Sequence, residues 1–452
     1  MKKLWLPLTA IAIWVVFFVL GPWYAGNQLE SNFDKIVQRM NANGVVKFEK
    51  TSYEKGIFSS TTNLKVSLDF NALGPAAQKL NLHNEDLSLN LIGEIKHGPF
   101  LFHDGISFAI GNIAFQPVLT KKQQQEVTKL FGKTNPFALN MRLKWNKDIE
   151  LGGSVIPFKS PDGTVDSKTM TLGVSVTDND KRMLTHFNWG GLTANIKEKG
   201  VDKGSVEVGN VVLTSDQKQV IKDLWMGNGA FDIDEIKFSS KNKSTTGIFK
   251  KFHVLSISNI DDKKEFIKGR VSIKLDKATV NKVDYVENLN YIVSFKHVDA
   301  ISLQKLTTAI RDAQKAGGSQ QAMQMAMGMQ LMGILPELVK KGFSINIDAL
   351  DAKILGGELK SKLEINIAKG TDVTKGMAAI AGISAKLNIS VERSLLSKFP
   401  MANPQMVQGL ISQGLIVEKA GVLSSKAEFK GGQLTVNGKP IPLPIPGLPS
   451  SK

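Results

Sequence analysis

The hydrophobic positions divide the chain into two regimes. Residues 4–20 form an almost unbroken apolar run, interrupted only by Pro7 and Thr9. Lys2 and Lys3 precede it and Gly21-Pro22-Trp23-Tyr24 comes after it, the flanking pattern of a spanning helix with its positive end inside and its aromatics in the opposite headgroup layer. The run lies at the lower edge of the roughly 17–25 residues that a spanning helix needs, and extension through Pro22 and Trp23 supplies the length. Leu4, Trp5, Ile11, Ile13, Trp14, Val15, Val16, Phe17, Phe18, Val19 and Leu20 are the expected membrane anchor. A cleaved signal peptide would need small residues at its cleavage site, and Trp23-Tyr24-Ala25 puts bulky Trp23 where one is required. The reading is an uncleaved, single-pass anchor in residues 1–26 with a cytoplasmic N-terminus. A body then spans 27–439, and 440–452 form a tail.

Within the body, Leu29, Phe33, Ile36, Val37 and Met40 recur at helical spacing and predict a helix over 26–43, ended by Asn43-Gly44. The period then changes to two. Leu64, Val66, Leu68 and Phe70 alternate with Lys65, Ser67 and Asp69, the signature of a half-buried strand. The same alternation returns at Leu87-Leu89-Leu91, Val271-Ile273-Leu275, Phe343-Ile345-Ile347, Leu363-Ile365-Ile367 and Leu387-Ile389-Val391. One dry and one wet face mean antiparallel sheet, because parallel strands covered on both sides read as continuous apolar runs. Turn chemistry at Pro161-Asp162-Gly163, Asp178-Asn179-Asp180, Asp261-Asp262, Leu355-Gly356-Gly357 and Lys430-Gly431-Gly432 makes that sheet a meander. Helical patterns interrupt it at 121–131, where Gly132 stops the helix, and at 215–226, 302–341, 373–380 and 394–419. Pro400 and Pro404 split the last into two short helices. The expected fold is α+β, mainly β: an N-terminal transmembrane helix, a large antiparallel meander and a few amphipathic helices.

Charge and composition narrow the chemistry. The formal net charge is +16, but the lysines are spread one or two per strand rather than gathered with aromatics in a patch, so nucleic acid is not the expected partner. Diffuse positive charge would instead hold the body near an anionic inner-membrane surface. The absence of cysteine removes disulfides, thiolate zinc sites and cysteine nucleophiles together. No cofactor is expected. None of His83, His97, His103, His186, His253 and His297 forms a metal-binding pair, and there is no nucleophile elbow or phosphate loop. His97-Gly98-Pro99-Phe100 followed by His103-Asp104 is the densest polar cluster, and a histidine beside a carboxylate could run acid–base chemistry. Its Gly-Pro setting is turn grammar, which favours a structural role.

Two segments stand apart. In the long helical pattern at 302–341, Met325, Met329 and Met332 make one stripe, and Met323, Met327, Leu331 and Ile334 another. Thioether clusters bind Cu(I), yet this face runs on into aliphatic residues. It reads as packing or as a pliable contact surface, a lid or the seam of a homodimer. The tail Pro440-Ile441-Pro442-Leu443-Pro444-Ile445-Pro446 predicts extended polyproline II.

The anchor with Trp23-Tyr24-Ala25-Gly26 and Leu29-Glu30, then Tyr53-Glu54-Lys55-Gly56-Ile57-Phe58-Ser59-Ser60, His97-Gly98-Pro99-Phe100 and Gly432-Gln433-Leu434-Thr435-Val436-Asn437-Gly438-Lys439, resembles the YdgA/YihF-like proteins of Gram-negative bacteria. The resemblance spans nearly the whole chain. It implies an inner-membrane anchor with a large periplasmic body, in a domain of unknown function that offers no catalytic residues to carry over. Two function classes are open. The first is a non-enzymatic envelope protein that binds an apolar or extended ligand such as a lipid, or docks another envelope protein. The alternative is a hydrolase with its site near His97, His103 and Asp104.

Overall fold

The structure is a computed structural model that describes residues 19–41, 46–68, 88–101, 107–132, 135–177, 179, 181–198, 201–222, 224–241, 244–315, 320–372, 377–396, 398 and 403–442. The chain forms two compact units, one of residues 1–189 with 312–323 and one of residues 190–311 with 324–452. Both are antiparallel meanders with a few helices.

In the first unit, helix α1 (Gly21–Met40) is followed by β1 (Val46–Lys55), β2 (Ser59–Leu68), β3 (Ser88–His97) and β4 (Gly111–Val118). Helix α2 (Lys121–Phe131) then leads to β5 (Phe137–Leu143), β6 (Ile149–Val155), β7 (Met170–Thr177) and β8 (Arg182–Trp189). Each strand pairs antiparallel with the next. The expected alternation holds at Leu64 and Val66 on β2 and at Leu89 and Leu91 on β3, which pair across the ladder and so share a face. Leu87 and Phe70 lie outside the described residues.

The expected membrane-spanning helix is overturned, and with it the single-pass inner-membrane placement with a periplasmic body. Among the described residues no helix is long and apolar enough to cross a membrane. Of the expected anchor, Leu4 to Phe18 lie outside the described residues, and Val19 and Leu20 make a π-helical turn into α1. Helix α1 itself is a core helix. Its Ala25, Leu29, Phe33, Ile36 and Val37 are buried against Leu64, Leu91, Ile95, Ile113 and Met141 of the sheet. Asn27, Glu30, Asp34 and Lys35 on the other side of α1 are incompatible with lipid. Tyr24, expected among headgroups, stacks instead on Trp145 at 6.3 Å between ring centroids.

The second unit contains β9 (Leu192–Glu198), β10 (Val201–Val208), β11 (Val211–Ile221), β12 (Leu224–Ser240), β13 (Thr246–Ile260), β14 (Phe266–Val280) and β15 (Val283–Asp299). Helices α3 (Ala300–Lys315) and α4 (Gln320–Lys341) precede β16 (Phe343–Ile354), β17 (Gly357–Ile367), β18 (Ile383–Glu392), β19 (Val422–Lys430), β20 (Gln433–Val436) and β21 (Lys439–Ile441). Strands β12 to β21 pair in sequence order. Both β10 and β11 pair with β12, β11 along its first part and β10 along its last.

Register makes the two faces of this meander explicit. One row crosses it as Val271, Val293, Ile347, Leu363, Leu387 and Ala427. Another crosses as Asp232, His253, Lys274, Asn290, Asp351, Lys360, Ser390 and Ser424. The register therefore segregates apolar from polar side chains as period two reads, but the apolar row is half-buried rather than dry, and Ser272 and Ser294 are buried on the other side. The left-handed residues Leu355 and Gly356, at φ 48° and 85°, make the turn between β16 and β17 that Leu355-Gly356-Gly357 predicts.

One helical pattern is a strand. Residues 215–226, rich in Gln, Lys and Asp, belong to the β11–β12 hairpin, whose Leu224 and Met226 close a small core with Ile267 and Ala300. Burial of Leu224 and Met226 against these distant residues outweighs the local helix preference. The pattern at 302–341 is two helices rather than one, and that at 394–419 resolves into α6 (Arg393–Leu396), α7 (Pro404–Ser412) and the short strand Val417–Lys419. The helix expected at 373–380 is described only as α5 (Met377–Ile380). Pro440 and Ile441, in β21, pair with Thr435 and Leu434 of β20, while the rest of the proline-rich tail from 443 onward lies outside the described residues.

Candidate apolar-ligand site

The dry face of the first unit is built in rows. Ile95, Ile113 and Met141 form one row across β3, β4 and β5, and Phe115, Leu139, Gly153, Leu172 and Phe187 form another across β4 to β8. Helix α1 covers the first row. Its close approach needs two glycines: a Cβ at Gly111 would stand 2.5 Å from Leu29 Cδ1, and one at Gly26 would stand 2.5 Å from the His97 ring. The helix is then tied off beside β1. Asn41 donates to the Phe48 carbonyl at 2.9 Å and accepts from its amide at 2.6 Å.

Past that tie the second row lies open as a trough of about 980 Å³, lined by Phe48, Val66, Leu89, Leu91, Phe115, Leu139, Leu151, Gly153, Val155, Met170, Leu172 and Phe187. Phe137 and Leu172 are 38% and 37% exposed, so apolar surface that α1 does not reach faces solvent. Helix α2 forms the rim with Leu119, Thr120, Lys122, Gln123, Glu126 and Val127. It is secured at both ends. Thr120 and Gln123 make a reciprocal capping box, and Gln123 Nε2 also donates to the Ser88 carbonyl at 3.1 Å. At the other end Phe131 packs on Phe137 and Phe158, with centroids 5.4 and 4.1 Å away.

The predicted polar cluster behaves differently. His97 is 5% exposed. Its Nδ1 lies 2.9 Å from the Ile57 carbonyl, which can only accept, so Nδ1 carries the proton and Nε2 accepts from the Ser60 hydroxyl at 2.8 Å. Burial holds the His97 pKa below the ordinary imidazole value. Both ring nitrogens are occupied inside the protein, and the group behind Nδ1 is a carbonyl rather than the carboxylate that would support an imidazolium. His103 and Asp104 lie outside the described residues.

Of the remaining histidines, His253 Nδ1 meets Asp232 Oδ1 across the β12–β13 pair at 2.5 Å, and His297 stacks on Phe266 at 3.6 Å. Among the described residues no group of three or more His, Asp or Glu side chains could hold a metal ion. On α4, Met325, Met329 and Met332 are 65%, 67% and 74% exposed. The side chains of Met323 and Met327 lie outside the described set. The trough itself was missed by sequence reasoning. Its one local signal is the pair Gly152-Gly153 inside a strand, a composition that marks close approach or a gap in side-chain packing.

Fold and site together define a meander-sheet protein whose apolar face, among the described residues, is covered by α1 over one row and open as a trough over the next. The chain belongs to the family of bacterial proteins of unknown function DUF945, whose model matches residues 1–444. No curated protein and no solved structure matches the chain.

Proposed function

We propose that this protein is a non-enzymatic binding protein that holds an apolar ligand in the trough of its first unit. The observation that carries the reading is the continuity of the apolar face: among the described residues it is one surface, closed by α1 over its first row and open over its second. The volume suits a ligand site, at the upper end of the roughly 300–1,000 Å³ of such pockets. The internal use of both His97 nitrogens weighs against hydrolysis at that residue. The finer kinship with YdgA/YihF-like proteins of Gram-negative bacteria, suggested by the motifs at Tyr53 to Ser60 and Gly432 to Lys439, belongs to this same proposal.

Two adjacent glycines supply the test. A Cβ at Gly153 would project into the trough with ordinary contacts of 3.5 Å to Leu139 and 3.8 Å to Leu172, whereas one at Gly152, on the opposite face, meets nothing within 4 Å. Gly153→Phe should put a ring into the middle of the trough and lower the fluorescence enhancement of N-phenyl-1-naphthylamine, a neutral apolar dye. Gly152→Phe should leave that enhancement unchanged. Equal dye binding by the wild type and a folded Gly153→Phe variant would defeat the proposal.

A further inference from the structure

We infer that the trough selects its ligand by hydrocarbon alone: it takes two acyl chains of a lipid and leaves the headgroup in water, without reading it. This rests on the apolar-ligand reading and adds the ligand's class and the basis of its selection. Side chains from all eight strands of the first unit line the trough, from Phe48 on β1 to Phe187 on β8. Neighbouring strands lie about 4.8 Å apart, so the path along the sheet is roughly 34 Å. The hydrocarbon core of a bilayer, two acyl chains end to end, is about 30 Å thick. Volume agrees with length. With a methylene given the roughly 30 Å³ of a water molecule in the liquid, about 980 Å³ holds on the order of thirty chain carbons.

The polar groups around the trough are already used inside the protein. On the strands, Ser88, Asn90, Ser154 and Thr171 alternate with Leu89, Leu91, Gly153 and Leu172, so their side chains go to the opposite face of the sheet. On the α2 rim, Thr120 and Gln123 satisfy each other in the capping box, and Gln123 spends its amide on the Ser88 carbonyl. Glu126 is paired with Lys129 at 2.6 Å, and Lys122 is engaged as well. Among the described residues that line the trough, no rim side chain is therefore left unpartnered to choose between headgroups. Phe137 and Leu172, both part-exposed, mark where the apolar lining meets solvent and where the polar end of an amphiphile leaves the site. Discrimination then falls on chain length, through the apolar area covered.

The full chain would be incubated with vesicles of dioleoylphosphatidylglycerol, with vesicles of dioleoylphosphatidylcholine, or with oleate, then freed of excess lipid and weighed by non-denaturing mass spectrometry. The expected result is one diacyl lipid per chain, with equal occupancy for the anionic and the zwitterionic headgroup, or two oleates per chain. Lys122→Gln should leave all three occupancies unchanged, and Gly153→Phe should lower all three several-fold. The inference is overturned if the two diacyl lipids differ several-fold or if Lys122→Gln shifts either of them, because the headgroup is then read. It is equally overturned if oleate saturates at one per chain, or if a folded Gly153→Phe variant carries as much lipid as the wild type. Failure of all three lipids to bind while N-phenyl-1-naphthylamine still does would refute the lipid class and leave the apolar-ligand reading standing. Absence of dye binding as well would refute both.

Discussion

The ring of His97 occupies the space that a side chain at residue 26 would need: a Cβ built on Gly26 falls 2.5 Å from Cε1 and 2.6 Å from Nδ1 of that ring. Helix α1 therefore docks on β3 through a missing side chain and a buried imidazole. Gly26→Ala should destabilise the protein by about 1–3 kcal/mol, the usual result of overpacking a filled core. Urea unfolding would measure it, and an unchanged midpoint would show that α1 can shift without loss. Because residues in contact couple, pairing Gly26→Ala with His97→Ala should be less damaging than the sum of the two.

The His97 environment also sets a pH dependence. Burial lowers its pKa in the folded protein, while the unfolded chain titrates near the ordinary value of about 6.5. Below that value the unfolded state binds more protons than the folded state, so stability is complete above about pH 6.5 and declines as the pH falls through it, levelling off below the folded pKa. Urea midpoints followed from pH 8 to pH 5 should fall for the wild type. The His97→Gln variant should show a flatter profile, whatever its absolute stability.

The rim of the trough depends on a helix cap. Thr120→Ala removes the side chain that accepts from the Gln123 amide at 3.2 Å and should cost about 1 kcal/mol. Amide exchange should rise first in residues 121–131, because local opening of α2 precedes global unfolding. Uniform loss of protection across the first unit would show that α2 is not a separable rim.

The methionine stripe on α4 makes an opposite prediction. Met325 and Met329 are exposed, and a Cβ at the neighbouring Gly328 or Gly333 would meet nothing within 4 Å. The double variant M325Q/M329Q should therefore change stability by no more than about 0.5 kcal/mol. A large loss would mean that these side chains are packed, and the pliable contact surface expected from their chemistry would have to be abandoned.

A buried cap fastens α3 to the end of β15. Asp299, 8% exposed, accepts from the Ser302 amide at 2.9 Å and from its hydroxyl at 2.7 Å. Asp299→Ala should cost about 0.5–2 kcal/mol as the cap is lost, whereas Asp299→Asn, which keeps an acceptor oxygen, should cost less. Equal losses in thermal denaturation would assign the effect to charge rather than to capping.

Local sequence determined the strands and their faces. Leu363, Ile365 and Ile367 alternate with Lys362, Glu364 and Asn366, and a pleated strand has no other way to separate them. Gly132 and Leu355-Gly356-Gly357 likewise marked a helix end and a turn, because left-handed backbone is chiefly a glycine property. The stripe of Leu29, Phe33, Ile36 and Val37 identified a helix with one buried side. Tertiary structure alone decided what covers what. Residues 215–226 became a hairpin because Leu224 and Met226 find Ile267 and Ala300, partners that no local window contains. Hydropathy in residues 4–20 suggested a spanning helix, but hydropathy reports solubility in lipid and not the packing of the adjoining helix α1. The trough brings Phe48 together with Phe187. Whether the face they share is closed depends on how far α1 extends, and α1 ends at the Asn41 contact with Phe48.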